Sequence, residues 1–339
     1  PMEQRIQRAE RVRGNITVPG DKSISHRAGM LAAIAAGTTR ISNFSASKDC
    51  GSTLECLTTL GVGIASSGSE VIITGRPDGF QSPAAELDCG NSGTTIRLMA
   101  GLLAGLGVEA TLTGDESLRS RPMGRIIGPL EKMGALIESS EGKAPVHLVG
   151  GRKLVGIEYE LPVASAQVKS CVLLAGLNAA GSTSVIERTP TRDHTERMLR
   201  GFGVEVDVSA FGSGRKISVH GGSRLKATDL TVPGDVSSAA FFLVAAAILP
   251  DSDVTIRDVG LNPTRSAILD VLRAYGVGLE IANERISGGE PIGDVRVRSL
   301  VLPKRPAGYS IRGEMVANRI DEVPALEILG ACSVGGLEI

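Results

Sequence analysis

Lys22, Ser23 and Arg27 open a long apolar stretch, and cations at that place need a reason. A helix start already carries unpaired N–H groups and the positive end of the peptide dipole, so the helix itself opposes a lysine and an arginine there. An anion seated between them removes the conflict, because ammonium, guanidinium and free amides all donate to phosphate or carboxylate oxygens. Similar residues recur downstream: Asn91, Gly93 and Thr94 at a second turn, Ser165, Gln167 and Lys169 at a third, Asp321 and Glu322 at a later one. Arg119, Arg121 and Arg125 follow in RSRPMGR, and Arg192 in TPTRDHTER. Each turn alone also reads as an N-cap, the one at Asp321 included. As a set, these residues describe a cleft that neutralises polyanions. Neither GxGxxG nor GxxxxGK[ST] occurs, and His26, His147, His194 and His220 lack zinc spacing. No dinucleotide, P-loop or metal centre is indicated, and no cofactor is expected.

The elements that must carry these residues repeat. VPGDKSISHRAGMLAAIAAG, DCGNSGTTIRLMAGLLAG, LPVASAQVKSCVLLAGL and VPGDVSSAAFFLVAAAI each join a small-residue turn to an apolar helix. Their turns fall at Pro19, Gly90, Pro162 and Pro233, at intervals of 71, 72 and 71 residues. A second landmark keeps the period: LGVGIASS, MGALIESS, FGVEVDVS and YGVGLEIA place glycines at 61, 134, 203 and 276, each where a helix end wants positive φ before an alternating strand. The unit reads strand, helix, strand, helix, strand, strand, which calls for α/β layering. A fifth copy begins at RIDEVPALEILGACSVGGLEI. Its landmark glycine is expected at ~362, so the 339 residues are expected to be a fragment or one piece of a split protein, with a variant of shortened end as the alternative.

Composition narrows the class. At 339 residues with 42% apolar content, the chain has room for at least two cores. Lys+Arg 36 against Asp+Glu 37 gives a net charge of −1, which speaks against nucleic acid. The longest apolar run, Ala239 to Leu249, is too short to cross a bilayer, so no membrane partner is expected and the run reads as a buried core helix. Cys50, Cys56, Cys89, Cys171 and Cys332 sit in apolar stretches without CxxC spacing, which suggests buried thiols, a reducing compartment and no disulfides. With no signal-like N-terminus, a cytoplasmic location is expected.

PGDKSISHR, GNSGTTIR, RPMGR, PVASAQVKS, TRDHTE, PGDVSSAAFF and IDEVP together resemble the 3-phosphoshikimate 1-carboxyvinyltransferase (EPSP synthase) family, in the bacterial form carrying ASAQVKS. The resemblance implies an inside-out α/β barrel built from βαβαββ units, in two domains with pseudo-threefold symmetry. Residues 14–231 would form the first domain and 1–13 plus 232–339 the second, with hinge strands near Arg13 to Asp21 and Thr231 to Asp235. It implies transfer of an enolpyruvyl group from phosphoenolpyruvate to the 5-hydroxyl of shikimate 3-phosphate, without metal, by an enzyme of aromatic amino acid biosynthesis that is monomeric when complete. Carried over by position, Lys22, Ser23, Arg27, Ser165, Ala166, Gln167, Arg192 and Asp321 would bind shikimate 3-phosphate. Lys22, Asn91, Gly93, Arg121 and Gln167 would bind phosphoenolpyruvate, with Asp321 and Lys22 catalytic and Asp321 the base. Ala166 stands where many members have serine, so a backbone N–H must serve the phosphate there.

The family's LRVKESDR and DHR segments and its late lysine do not occur in residues 1–339. The chain alone is therefore expected to bind shikimate 3-phosphate weakly and turn over negligibly without a complementary C-terminal piece. Two alternatives stand beside this reading. UDP-N-acetylglucosamine enolpyruvyl transferase shares the repeat fold but expects Lys-Asn at Lys22-Ser23 and a cysteine-bearing loop near RSRPMGR. A noncatalytic anion-binding fragment is the other.

Overall fold

The computed structural model describes residues 7–299, 302–312 and 320–339. The chain divides into two compact units. The larger holds Lys22–Val232 with Ser287–Glu290; the smaller holds the chain up to Asp21, Pro233–Ile286 and the chain from Pro291 onward. The boundary expected after residue 13 thus lies between Asp21 and Lys22. Its cause is β1 (Arg13–Thr17), which pairs in parallel with β14 (Asp253–Gly260) of the smaller unit, from Arg13 opposite Asp253 to Thr17 opposite Arg257. The Asp21 N–H donates to Pro233 O at 2.8 Å and the Asp235 N–H to Pro19 O at 2.9 Å, so the expected hinge strands are tied to each other. Residues 1–6 of the expected N-terminal segment lie outside the described residues.

Three sheets of the larger unit follow one plan, with a parallel first pair and an antiparallel hairpin. The middle one orders β5 (Leu87–Asp88), β6 (Ala110–Thr113), β8 (Lys143–Leu148) and β7 (Ile137–Ser140). The third orders β9 (Glu158–Glu160), β10 (Ser182–Glu187), β12 (Gly214–His220) and β11 (Val206–Phe211). In the first, β2 (Thr38–Ser42), β4 (Glu70–Thr74) and β3 (Gly63–Ser67) take their parallel neighbour from the far end of the unit, β13 (Leu230–Thr231).

The first helix of each repeat, α1 (Lys22–Ile34), α3 (Gly93–Leu106) and α6 (Ala166–Gly176), is buried on nearly every side, with small and aliphatic residues all round. Gly101 and Gly105 let α3 and α6 meet backbone to backbone: a Cβ at Gly101 would lie 2.2 Å from Cys171 O, and one at Gly105 2.7 Å from Ala175 O. The second helices, α2 (Lys48–Thr59), α5 (Gly124–Lys132), which the short α4 (Glu116–Ser120) precedes, and α7 (His194–Gly201), bury one face only. Helices inside and sheets outside make the expected inside-out α/β arrangement. The landmark glycines 61, 134, 203 and 276 all adopt positive φ, from 76° to 101°, where a side chain would be strained.

The smaller unit repeats the sheet plan as β1, β14, β16 (Glu290–Arg298) and β15 (Gly278–Ser287). Its α8 (Val236–Ile248) buries Ala239, Ala240, Leu243 and Val244 but leaves Phe241 49% and Phe242 48% exposed, so the apolar run read as a buried core helix is buried on one side only. Among the described residues α8 packs on α9 (Ala267–Ala274) and on the helix Val323–Ala331. The cysteines also differ from expectation at one position. Cys50, Cys56, Cys89 and Cys171 are buried, whereas Cys332, just past that last helix, is exposed. Burial pushes the thiols of Cys50 and Cys171 up to about 11 and about 12.

Candidate active site

The repeated turns carry polar side chains to the N-terminal ends of the inner helices of the larger unit. Lys22 is the first residue of α1, and its Nζ meets Asp49 Oδ2, on the first turn of α2, at 2.8 Å. Asp49 occupies the lysine without burying it: Lys22 remains 52% exposed. Ser165 is the N-cap of α6 and accepts from the Val168 N–H at 3.3 Å. The cap uses an oxygen lone pair, so the hydroxyl hydrogen can still donate, and the N–H groups of Ala166 and Gln167 are among those a helix leaves unmatched at its start. Ser92 caps α3 in the same way, accepting from Thr95 N–H at 3.1 Å.

Around Gly93 the structure gathers cations. Arg97 Nη1 donates to Gln167 Oε1 at 2.8 Å, and Gln167 Nε2 to Thr94 Oγ1 at 3.0 Å, so the second and third turns are linked. Arg121 Nη2 donates to Asn91 Oδ1 at 2.5 Å, while Asn91 Nδ2 donates to both oxygens of Asp115 at 3.0 and 2.8 Å. That donation, with the Leu118 N–H, holds the Asp115 carboxyl below its ordinary value. A Cβ at Gly93 would stand 2.7 Å from Arg97 Nη1 and 3.2 Å from Arg121 Nη1, so the bare glycine is what lets two guanidiniums close over the start of α3. Desolvation and then the charges of Arg121 and Arg125 lower the Arg97 pKa. No ion pair is described for any of these three arginines.

The remaining expected residues differ in burial and partners. Lys169, read as one cation of the cleft, is fully buried with Glu187 Oε2 at 3.1 Å and Glu196 Oε1 at 2.7 Å. It sits four residues beyond the Ser165 cap, where the helix has turned its side chain inward. Arg27 is 5% exposed and spends Nη1 on Ser23 O, Nε on Thr195 Oγ1 and Nη2 on Ser170 Oγ, each at 2.8 Å, so it ties α1 to α6 and α7. Ser23 is partly buried beside Lys22. Arg192 lies partly buried next to Thr191, which Glu187 Oε2 holds through its N–H at 3.2 Å and its hydroxyl at 2.7 Å.

Asp321 belongs to the smaller unit, in a short turn, Ile320–Glu322, ahead of the helix Val323–Ala331. The cap reading fails for it: Glu322 occupies the cap position, with no side-chain capping bond. Asp321 is 47% exposed and meets Arg265 Nη1 through Oδ2 at 2.9 Å; neighbouring Glu322 is 1% exposed.

This repeat fold, with cations and N-caps at its helix starts, has counterparts among known proteins. The EPSP synthase (3-phosphoshikimate 1-carboxyvinyltransferase) family profile matches residues 6–339. The chain belongs to the EPSP synthase family. It is 49% identical over 342 aligned positions to the 3-phosphoshikimate 1-carboxyvinyltransferase of Salinibacter ruber, an alignment covering 100% of this chain and 77% of that protein. It is 50% identical to the one of Ruthia magnifica, over 95% of this chain and 72% of that protein. An EPSP synthase structure from Acinetobacter baumannii superposes with a TM-score of 0.90 at 47% identity, covering 96% of this chain and 73% of that one. These matches favour EPSP synthase over the related UDP-N-acetylglucosamine enolpyruvyl transferase. Four polar residues at or near the site escaped sequence reasoning: Asp49, Arg97, Asp115 and Arg265. Arg97 stands inside GNSGTTIR and was the legible one. The other three act through partners in distant segments.

Proposed function

We propose that this EPSP synthase holds its two substrates on the inner helix starts and uses Asp321 as the proton acceptor. The reaction joins the 5-oxygen of shikimate 3-phosphate to C2 of phosphoenolpyruvate while a proton adds at C3, giving a tetrahedral intermediate. Phosphate then leaves C2 as a methyl proton is lost, and the enolpyruvyl ether remains. Asp321 takes the proton of the 5-hydroxyl, which requires a carboxylate oxygen within hydrogen-bond reach of that group once both substrates are bound. Lys22 contacts both ligands and exchanges its Asp49 partner for their anionic groups.

Ser165, the Ala166 N–H, Gln167 and Arg192 receive the shikimate phosphate, and Ser23 and Arg27 the ring and carboxylate. Asn91, Gly93, Arg121 and Gln167 receive phosphoenolpyruvate. The enzyme acts as a cytoplasmic monomer, and sedimentation velocity checks the oligomeric state. The observation that carries the reading is the pair of Arg97 and Arg121 over Gly93, with the charge of Arg125 also acting on Arg97, and no carboxylate ion pair is described for the three. Grouped guanidiniums repel one another, and a bound phosphate and carboxylate turn that repulsion into affinity. Titration calorimetry with shikimate 3-phosphate, alone and with phosphoenolpyruvate, tests it. Binding tightened by the second ligand is expected, and Arg121→Met abolishes the tightening. Absence of both binding and synergy would leave a noncatalytic scaffold.

A further inference from the structure

In the smaller unit, several carboxylates gather around one guanidinium. Arg265, in the turn after β14, is 9% exposed. Its Nη1 donates to Asp321 Oδ2 at 2.9 Å and to Glu322 Oε1 at 3.1 Å. Its Nη2 donates to Ser237 Oγ at 2.6 Å and faces Asp235 Oδ1 at 3.5 Å, and Asp21 Oδ2 lies 4.0 Å from Nε. The turn is itself fixed, since Asn262 O accepts the Arg265 N–H at 2.8 Å and Asn262 Oδ1 accepts the N–H and hydroxyl of Thr264, each at 2.9 Å. The planar fork is therefore locked on its buried side by Glu322 and Ser237, and the edge left to it reaches the half-exposed Asp321. A lysine could not reproduce this, because one ammonium at the end of a flexible stem does not fix two carboxylates and a hydroxyl in one plane.

We infer that Arg265 is the positioning residue of Asp321: it fixes the direction in which that carboxylate presents itself to the 5-hydroxyl, without touching substrate. The inference rests on the reading of Asp321 as the proton acceptor. A carboxylate held less firmly spends less time in line with the proton it takes, and a misplacement of about 1 Å costs on the order of 100-fold in rate. The loss belongs in turnover, because no ground-state contact to either substrate is removed.

The test uses steady-state phosphate release and thermal unfolding on Arg265→Lys, Asp321→Asn, the double variant and Glu322→Gln, in the enzyme as its source cell makes it. Arg265→Lys is expected to lower kcat by roughly 10- to 100-fold while both KM values stay within about 2-fold. The double variant is expected to be no slower than Asp321→Asn alone. Glu322→Gln, which loosens the buried side of the fork while keeping its shape, lowers kcat several-fold and serves should Arg265→Lys not fold. Wild-type kcat in Arg265→Lys, or a double variant whose losses multiply, overturns the positioning role. So does wild-type kcat in Glu322→Gln should Arg265→Lys not fold. A normal kcat in Asp321→Asn instead removes the proton acceptor itself, and is told apart because it appears in that variant alone.

Discussion

Both units bury a charge cluster, and among the described contacts the two are balanced in opposite ways. In the larger unit Lys169 and Arg215 face Glu187 and Glu196, two cations to two carboxylates, with Lys169, Glu187 and Glu196 at most 2% exposed. In the smaller unit one guanidinium, Arg265, faces Asp21, Asp235, Asp321 and Glu322. A neutral, dry cluster has no use for a ligand and serves to fasten α6, β10 and α7 together beneath the helix starts. Among the described contacts the acidic cluster gathers around Arg265 and keeps one member, Asp321, half exposed. On the proposed reading, burial gives rigidity where anions would be held and aims a carboxylate where a proton would be taken.

The largest test of this contrast is Lys169→Met. It takes the lysine from Glu196 and leaves Glu187 to Arg215, and breaking a buried pair by removing one partner costs about 3–5 kcal/mol. Urea unfolding is expected to show that loss in the larger unit. Replacing Glu196 by leucine in the same chain is expected to recover part of it, because Glu187 keeps Arg215. A loss below about 1 kcal/mol would mean that the cluster fastens nothing. Gly101→Ala strikes the same unit through packing. Its Cβ would meet Cys171 O at 2.2 Å, backbone against backbone, with no flexible side chain to give way. A loss of about 3 kcal/mol in the same unfolding measurement is expected, at the upper end of ordinary overpacking.

What the sequence made legible was local and periodic. The glycines at 61, 134, 203 and 276 could be assigned positive φ because each sits between an apolar helix end and an alternating strand, and neighbours in the chain decide that conformation. Arg121 and Arg125 were legible for a similar reason, since RSRPMGR carries its charges within a few residues, whereas Arg97 inside GNSGTTIR was passed over. Lys169 was misread because spacing alone does not say which way a residue one turn into a helix points. Its partners Glu187 and Glu196 are 18 and 27 residues away and become neighbours only through the β10 crossover. Arg265 was invisible for the same reason: Asp321 lies 56 positions further on. The parallel pairing of β1 with β14 spans 240 residues, so no local signal could move the boundary from residue 13 to Asp21.

Between these structural losses and the finer electrostatic effects lies Gly93→Ala, which sharpens the role of the larger unit. The new methyl pushes against the ends of Arg97 and Arg121 rather than against backbone, so the fold is expected to survive with unfolding unchanged to within about 0.5 kcal/mol. The affinity for phosphoenolpyruvate is expected to fall by about 10-fold, or about 1.4 kcal/mol, while shikimate 3-phosphate binds as before. Calorimetry with each ligand separates the two. An equal loss for both would mean that the arginines serve a common anion site rather than one substrate.

The smallest effect belongs to Asp235 in the acidic cluster. Desolvation first, and then the charge of Asp21, raise its pKa above the ordinary 3.8, and the attraction of Arg265 does not offset them. A carboxyl whose native pKa is raised binds more protons folded than unfolded, so its contribution to stability declines as the pH climbs from 3.8 through the native value and stays low above it. Asp235→Asn removes that ionisation and keeps the cap on α8, where Oδ1 accepts from the Ser237 N–H at 3.1 Å and asparagine caps as well as aspartate. The variant is therefore expected to unfold at a slightly higher temperature at pH 7, with the gain shrinking as the pH falls toward 3.8. A destabilised variant at pH 7 would show that Arg265 draws more from Asp235 than burial takes away. The smaller unit's cluster would then be balanced much as the larger unit's is, and the contrast between them would narrow to the exposure of Asp321.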